Sequence, residues 1–254
     1  TLNEIINYTH TLFNTNHFES YQNECGVTFD AQKPIKTIGY CTNLTPDAIE
    51  KAKMSNIDLL ITHHDAWGFI YGMKEECDEK LKEYGISHFF THLPLDDAPF
   101  GTNSSLLKVL GLKELGKYSE EEGYLCGALG EYDKPIKYSE LVSKLELKMG
   151  EPAMSWQNND RLVKSVFVVC GAGFTTDLMK EAVDLEADVY ITGEKILYTM
   201  QYAKQKGLNL IIGSHTFTEI FGVESFVMIL KEHFKNLDVK LVQEERLETK
   251  PLMT

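Results

Sequence analysis

Two stretches of the chain share one pattern of apolar and polar positions. Residues 45–62 align without a gap to residues 175–192, and in each an amphipathic stretch precedes a short apolar run that ends in threonine. Amphipathic spacing followed by such a run predicts a helix, a turn and a strand. The pattern therefore indicates an internal duplication.

The match extends to both sides of these segments. Upstream, residues 35–38 and 163–166 each open a β-branched strand, and downstream residues 84–90 match residues 206–212 as a strand preceded by glycine. Each half is predicted to run strand, helix, strand, helix, strand. Because strands that are apolar along their whole length and alternate with helices are typical of parallel sheets, we predict an α/β fold with two related subdomains.

We place the boundary between the subdomains near Leu112, so that residues 1–112 form the first and residues 113–254 the second. The C-terminal segment 219–254 is a candidate to pack back on the first subdomain.

The segments outside the repeats have weaker patterns. We predict a glycine-rich strand over residues 123–130 and a helix over residues 139–148 with Ser139 as its N-cap. An amphipathic helix is predicted over residues 222–233, and a strand with a loose end after Val239.

Composition and charge narrow the class of protein. Acidic residues outnumber basic ones 38 to 25, which gives a net charge of −13, and the lysines form no basic stripe. Nucleic acid and anionic membranes are poor partners for such a chain. The five cysteines are widely spaced, and the N-terminus lacks the features of a signal peptide. We therefore expect a cytoplasmic protein with no disulfide framework and no membrane span.

The ends of the predicted strands carry side chains of the types that bind metals. In open parallel sheets, ligands bind beyond the carboxyl ends of the strands. His63 and His64 follow the apolar run of the first repeat directly. Adjacent side chains on a strand point to opposite faces, but where the chain bends at a strand end both imidazoles can converge.

A histidine followed four positions later by an acid occurs at the same topological place in both repeats. His92 and Asp96 follow a strand of the first repeat, and His215 and Glu219 follow the corresponding strand of the second. Imidazole and carboxylate suit zinc, manganese, iron, cobalt or nickel, and a carboxylate can span two cations. A pair of divalent ions fits five such ligands better than one ion does. The five candidate ligands are His63, His64, Asp96, His215 and Glu219.

Several assignments stay open. His92 can instead lie behind the ligands, because Pro94 is expected to force an extended turn between it and Asp96. Asp97 is an alternative ligand. In the second repeat Glu194 occupies the place of the histidine pair, and it is a candidate acid facing the site or the substrate.

Two neighbouring segments have candidate roles of their own. Gly171-Ala172-Gly173 lies between a strand and a helix, which is the context of a phosphate-binding turn, although a tight turn is the alternative. Trp67, Phe69 and Tyr71 follow the histidine pair and are candidates to wall the site, to stack a base or to pack in the core.

The ordered motifs carry a family resemblance. With His63-His64, His92-Leu-Pro-Leu-Asp96, Ile191-Thr-Gly-Glu194 and Gly213-Ser-His215-Thr-Phe-Thr-Glu219 in this order, the chain resembles the Nif-three-like family, also called the GTP cyclohydrolase 1 type 2 family. The likeness covers about residues 1–235. This chain departs from the family pattern at Asp65, where proline is common, and at Tyr198 and Gln201, where many members have a histidine.

The resemblance implies a dinuclear centre between two similar subdomains, with His63, His64, Asp96, His215 and Glu219 as the ligands of two divalent metal ions. It also implies a homohexamer with the metals facing an internal cavity.

Two hypotheses of function follow. The first is a metal-dependent hydrolase acting on a small molecule, by resemblance GTP, another nucleotide or a phosphorylated compound, with Glu194 or His92 as candidate general base. The alternative is a non-catalytic metal-handling protein, such as a chaperone or scaffold, which needs the same five ligands. An open coordination position that holds water would separate the two.

Overall fold

A computed structural model describes residues 1–13 and 23–249 of the protein. By their internal packing the residues form two units. Unit 1 comprises Thr1–Gly101 and Gly222–Glu245, and unit 2 comprises Thr102–Phe221 and Arg246–Thr254. Each unit is thus built from two separate stretches of chain, and unit 2 begins before the boundary that the sequence repeat suggests near Leu112.

Unit 1 carries the first repeat. In chain order its described elements are α1 (Leu2–Leu12), β1 (Cys25–Phe29), β2 (Thr37–Asn43), α2 (Pro46–Met54), β3 (Leu59–His64), α3 (Met73–Tyr84), β4 (Ser87–Thr91) and the short helix α4 (Leu93–Asp97).

Unit 2 carries the second repeat. Its described elements are α5 (Thr102–Leu110), β5 (Lys113–Glu121), β6 (Tyr124–Ile136), α6 (Tyr138–Met149), β7 (Met154–Trp156), β8 (Val163–Val169), α7 (Thr176–Asp184), β9 (Val189–Thr192), α8 (Leu197–Lys206) and β10 (Asn209–Ile212). Helix α9 (His215–His233) begins in unit 2 and ends in unit 1, where strand β11 (Asp238–Leu241) follows.

The sheet of unit 1 has the order β1-β4-β3-β2-β11. Strands β2, β3 and β4 pair in parallel, as the repeat predicts, and β11 adds a further parallel strand beside β2. Strand β1 runs antiparallel to β4 at the other edge. The last strand of the unit therefore comes from the C-terminal part of the chain.

The sheet of unit 2 has the order β5-β6-β8-β9-β10-β7. Strands β8, β9 and β10 form its parallel centre and correspond to β2, β3 and β4 of unit 1. The flanking strands β6 and β7 are antiparallel to their neighbours. The predicted α/β class with two similar halves is confirmed.

Burial on both faces explains why the central strands are continuously apolar. All residues of β3, β9 and β10 are buried. In unit 1 the helices α2 and α3 cover one face of the sheet through a core that includes Ile49, Leu60 and Leu81. Each fully buried side chain of this kind contributes about 1.5–3 kcal/mol relative to exposure.

The two repeats also end their helices alike. Helix α3 is capped by Gly85 with φ +61°, and α8 is capped by Gly207 with φ +64°. Glycine adopts this left-handed conformation without the steric cost of a Cβ atom, so the chain can turn directly into the next strand.

Two boundary predictions are wrong. The N-cap of α6 is Lys137 rather than Ser139, so the helix begins earlier than expected, and the Lys137 side chain makes no capping hydrogen bond. Helix α9 begins at His215 rather than near residue 222. The apolar pattern does not reveal this start because Phe217 is the single apolar residue of the first turn. The Ser214 hydroxyl accepts a hydrogen bond from the amide of Phe217.

Among the described helices, none combines the length and the apolar character needed to cross a membrane. The loose end expected at the C-terminus is wrong for its described part, residues 242–249, because the backbone amides of Thr42 and His215 donate hydrogen bonds to Glu244 and Glu248. Residues 250–254 lie outside the described residues.

Candidate metal-binding residues

In unit 1, the histidine pair occupies the carboxyl end of β3. Both side chains are buried, and the centroids of the His63 and His64 rings are 4.5 Å apart. The carbonyl oxygen of His64 accepts hydrogen bonds from the Leu44 amide at 3.2 Å and the Thr62 hydroxyl at 2.6 Å. These bonds fix the backbone at the strand end, where the two imidazoles converge as predicted.

The hydrogen bonds of this pair determine which ring nitrogen carries the lone pair. Nδ1 of His63 lies 2.8 Å from the carbonyl oxygen of Thr91, which can only accept, so Nδ1 carries the hydrogen. Nδ1 of His64 lies 2.9 Å from Oδ1 of Asn43, whose Nδ2 donates to Glu244. In both rings the lone pair is therefore on Nε2.

Asp96 and His92 lie on and beside the short helix α4. Asp96 is 8 % exposed, and its Oδ1 is 3.6 Å from Nε2 of His63. The expectation that Pro94 forces an extended turn is wrong, because proline is tolerated in the first turn of a helix and Pro94 occupies that position. Asp97, the alternative ligand, ends the same helix and is more exposed than Asp96.

His92 precedes α4 and belongs to the same group of donors. One ligand atom from each of His63, His64 and His92 lies within 4.8 Å of the other two. Nδ1 of His92 is 2.5 Å from Oε2 of Glu24, and this hydrogen bond holds the pKa of Glu24 below its usual value. Sequence reasoning missed this carboxylate, because nothing in the local pattern around Glu24 indicates its partner.

In unit 2, the first two turns of α9 present the second histidine and acid. Glu219 is 3 % exposed, and its Oε1 is 3.3 Å from Nε2 of His215. The backbone amides of His215 and Thr216 donate to the carboxylate of Glu248 at 2.7 and 3.2 Å. Glu248 thus satisfies amides at the helix start that have no partner within the helix.

Glu194 follows β9 and contacts His215 from the other side. Its Oε1 is 2.6 Å from Nδ1 of His215, so Nε2 is again the nitrogen directed at the acid of the motif. Burial alone would lower the pKa of His215, but the charge of Glu219 and the hydrogen bond to Glu194 outweigh it and raise the pKa to about 11. A cation bound at Nε2 would replace the second proton that these carboxylates attract.

The glycine turn after β8 lies against these two donors. Gly171 has φ +63°, and a Cβ atom there would be 2.0 Å from Oε1 of Glu219 and 2.8 Å from Nε2 of His215. Only glycine leaves room for both side chains. The sequence context also allows phosphate binding by this turn, but its clear structural role is this close approach.

Aromatic rings continue outwards from His64. The Trp67 ring centroid is 4.6 Å from that of His64, and the Phe69 ring is 5.3 Å from Trp67. Phe69 and Tyr71 are exposed. Trp67 therefore packs against the histidine pair with Phe69 beside it, and neither Phe69 nor Tyr71 fills the core.

The donor distances suit a metal ion. Two ligand atoms about 2.1 Å from one tetrahedral ion lie roughly 3.4 Å apart. The His63–Asp96 and His215–Glu219 separations of 3.6 and 3.3 Å agree with this spacing. Imidazole nitrogen with carboxylate oxygen suits divalent ions such as zinc, manganese, iron, cobalt and nickel. Each unit therefore contains residues that could bind a metal.

Known proteins resemble the chain along most of its length. A "GTP cyclohydrolase 1 type 2 homolog" from Pyrococcus horikoshii is 31 % identical over 237 residues, covering 91 % of this chain and 93 % of its own. A protein of the same name from Archaeoglobus fulgidus is 26 % identical over 236 residues, with the same coverage of both chains.

Solved structures share the fold. A crystal structure of a Thermus thermophilus protein superposes with a TM-score of 0.81 at 23 % identity, covering 96 % of this chain and 98 % of that one. A Bacillus cereus protein related to NIF3 gives 0.76 at 16 % identity, covering 99 % and 98 %. The profile of the Duf34/NIF3 (NGG1p interacting factor 3) family matches residues 1–249, and the chain belongs to that family.

Proposed function

We propose that the protein binds two divalent metal ions through His63, His64 and Asp96 of unit 1 and His215 and Glu219 of unit 2, and that it hydrolyses a small phosphorylated substrate. One observation carries the proposal. Each of these three histidines is held at Nδ1 by an oxygen acceptor, so that Nε2 is the nitrogen left for a metal. Metal-binding histidines in proteins are held in this way.

The surroundings of the ligands support a reactive site. A bound divalent ion lowers the pKa of a water ligand towards 7 and neutralises phosphate charge. Glu194 and Asn43 orient their histidines, and Gly171 keeps space beside Glu219. The rings of Trp67 and Phe69 offer a flat surface beside His64 against which a base can stack.

The names of the relatives guide the choice of substrate. Several are called GTP cyclohydrolase 1 type 2 homologs, so nucleotides, and GTP first, are the compounds to screen. We further propose that Glu194 handles a proton in the reaction, which the activity of Glu194 variants tests. From the resemblance we also propose that the chains assemble as homohexamers, which the mass in solution tests.

Metal content tests the proposal first. Protein purified without chelator is analysed for metals per chain, beside the variants Glu219→Gln and Glu232→Gln. Both variants remove one negative charge from α9, but Glu219 is buried beside His215 whereas Glu232 is exposed. We expect about two metals per chain in the wild type and the Glu232 variant, and a loss in the Glu219 variant.

Two results would count against the proposal. Absence of metal from all three proteins, even after incubation with zinc, manganese or cobalt, refutes metal binding. Metal bound without hydrolysis of any nucleotide refutes the hydrolase step and favours the metal-handling alternative.

A further inference from the structure

His92 lies outside the five expected ligands, yet it is held in the same way as they are. In the internal repeat, His92 and Asp96 correspond to His215 and Glu219. Nδ1 of His92 is 2.5 Å from a Glu24 oxygen, and Nδ1 of His215 is 2.6 Å from a Glu194 oxygen. Each repeat therefore pairs the histidine of its motif with a carboxylate at the same ring nitrogen.

The two carboxylates come from different places in the repeats. Glu194 follows β9, and the equivalent place at the carboxyl end of β3 is occupied by the histidine pair. In unit 1 the carboxylate comes instead from Glu24, which precedes the edge strand β1. The pairing of β1 with β4 and a hydrogen bond of 2.8 Å from the His92 amide to the Glu24 carbonyl bring the two residues together. The same arrangement is thus reached by two separate routes.

Stability alone gives a weak reason for this pair. The side chains of His92 and Glu24 are 37 % and 22 % exposed, and partly exposed ion pairs contribute little to folding. The pair instead determines which ring nitrogen of His92 can bind a ligand, because a hydrogen on Nδ1 leaves the lone pair on Nε2.

Ligand atoms of His63, His64 and His92 lie within 4.8 Å of one another. Two nitrogens about 2.1 Å from one tetrahedral ion lie roughly 3.4 Å apart, so side-chain movements of up to about 1 Å bring all three onto one ion. We infer that Nε2 of His92 is a further metal ligand in unit 1 and that Glu24 is its positioning residue. This inference rests on the proposed metal binding.

Cobalt(II) provides a direct test. In cobalt(II) protein, each histidine that binds through Nε2 keeps a hydrogen on Nδ1, which gives one strongly shifted proton signal that disappears in D₂O. We expect such signals from His63, His64, His92 and His215. His92→Gln should remove one of them, while the matched change His10→Gln on the exposed face of α1 should remove none.

A second variant tests the positioning residue without removing the ligand. Glu24→Gln should keep the His92 signal but move it, and should weaken cobalt binding about 10- to 100-fold in competition with a chelator. His10→Gln should leave this affinity unchanged.

The outcomes separate the inference from the proposed function. If the wild type binds cobalt and His92→Gln changes neither the number of shifted signals nor the affinity, His92 is not a ligand, and the proposed metal binding stands. If the wild type binds no cobalt, the proposed metal binding fails and the inference fails with it.

Discussion

His88 lies fully buried in β4 between two threonine hydroxyls. Its Nδ1 is 2.6 Å from Oγ1 of Thr28, and its Nε2 is 2.8 Å from Oγ1 of Thr62. The Thr62 hydroxyl donates its hydrogen to the carbonyl of His64, so it must accept one from Nε2. His88 is therefore neutral with its hydrogen on Nε2, and it supports the strand end that carries the histidine pair.

This environment makes folding depend on pH. Burial lowers the pKa of His88 from 6.5 to about 4. Between these values the unfolded chain binds a proton that the folded chain does not, so the free energy of unfolding falls as the pH falls. The stabilisation is complete above pH 6.5 and lost near pH 4. At about 1.4 kcal/mol per pH unit, the loss amounts to about 3 kcal/mol.

Urea unfolding of chelator-treated protein between about pH 7 and pH 4 measures this loss, with His88→Gln as the comparison. Glutamine donates to Thr62 and accepts from Thr28 but does not titrate. The contributions of other groups cancel in the difference between the two proteins, and the chelator removes metal binding as a variable. The wild type should lose about 3 kcal/mol relative to the variant. A difference that stays constant with pH would refute the reasoning.

Two further predictions concern the donors of unit 2. Gly171→Ala should abolish metal binding, because the added Cβ would occupy the space of Glu219 and His215. The control Gly207→Ala, with φ +64° and no atom within 4 Å of its Cβ, should cost about 1–2 kcal/mol of stability yet leave metal content intact. Elemental analysis and urea unfolding check both variants, and equal metal loss in the two would contradict the argument. Glu248→Ala should lower stability by about 1 kcal/mol and weaken metal binding, because the amides of His215 and Thr216 lose their acceptor. Glu245→Ala, in the same C-terminal segment, is the control. Matching melting temperatures and metal affinities for the two variants would show that the cap is unimportant.

The repeat can be predicted from the sequence because the patterns that define it are local. Strands such as β3 and β9 are short apolar runs next to amphipathic helices, and both features recur at a fixed offset along the chain. For the same reason the metal-binding types of residue can be found at strand ends, since the carboxyl ends of parallel strands lie on one side of a sheet.

The hydrogen-bond partners of those residues cannot be predicted from the local sequence. Glu24 reaches His92, and Asn43 reaches His64, only through pairing between strands that are distant in sequence. The helical start at His215 also escapes a sequence pattern, because only Phe217 in its first turn is apolar and the turn is capped by Ser214 and Glu248. Local patterns identify elements, whereas long-range pairing selects which side chains meet.

The pairing of β11 with β2 has a consequence for synthesis of the chain. Asp238 lies opposite Thr37, so about 200 residues separate the paired strands. At ribosomal rates this segment takes roughly 10 to 40 seconds to appear. During that interval the edge of β2 lacks its partner and can pair with strands of other nascent chains. Unit 1 can therefore complete its sheet only after β11 has been translated, and chaperone binding before that point should be concentrated on this edge.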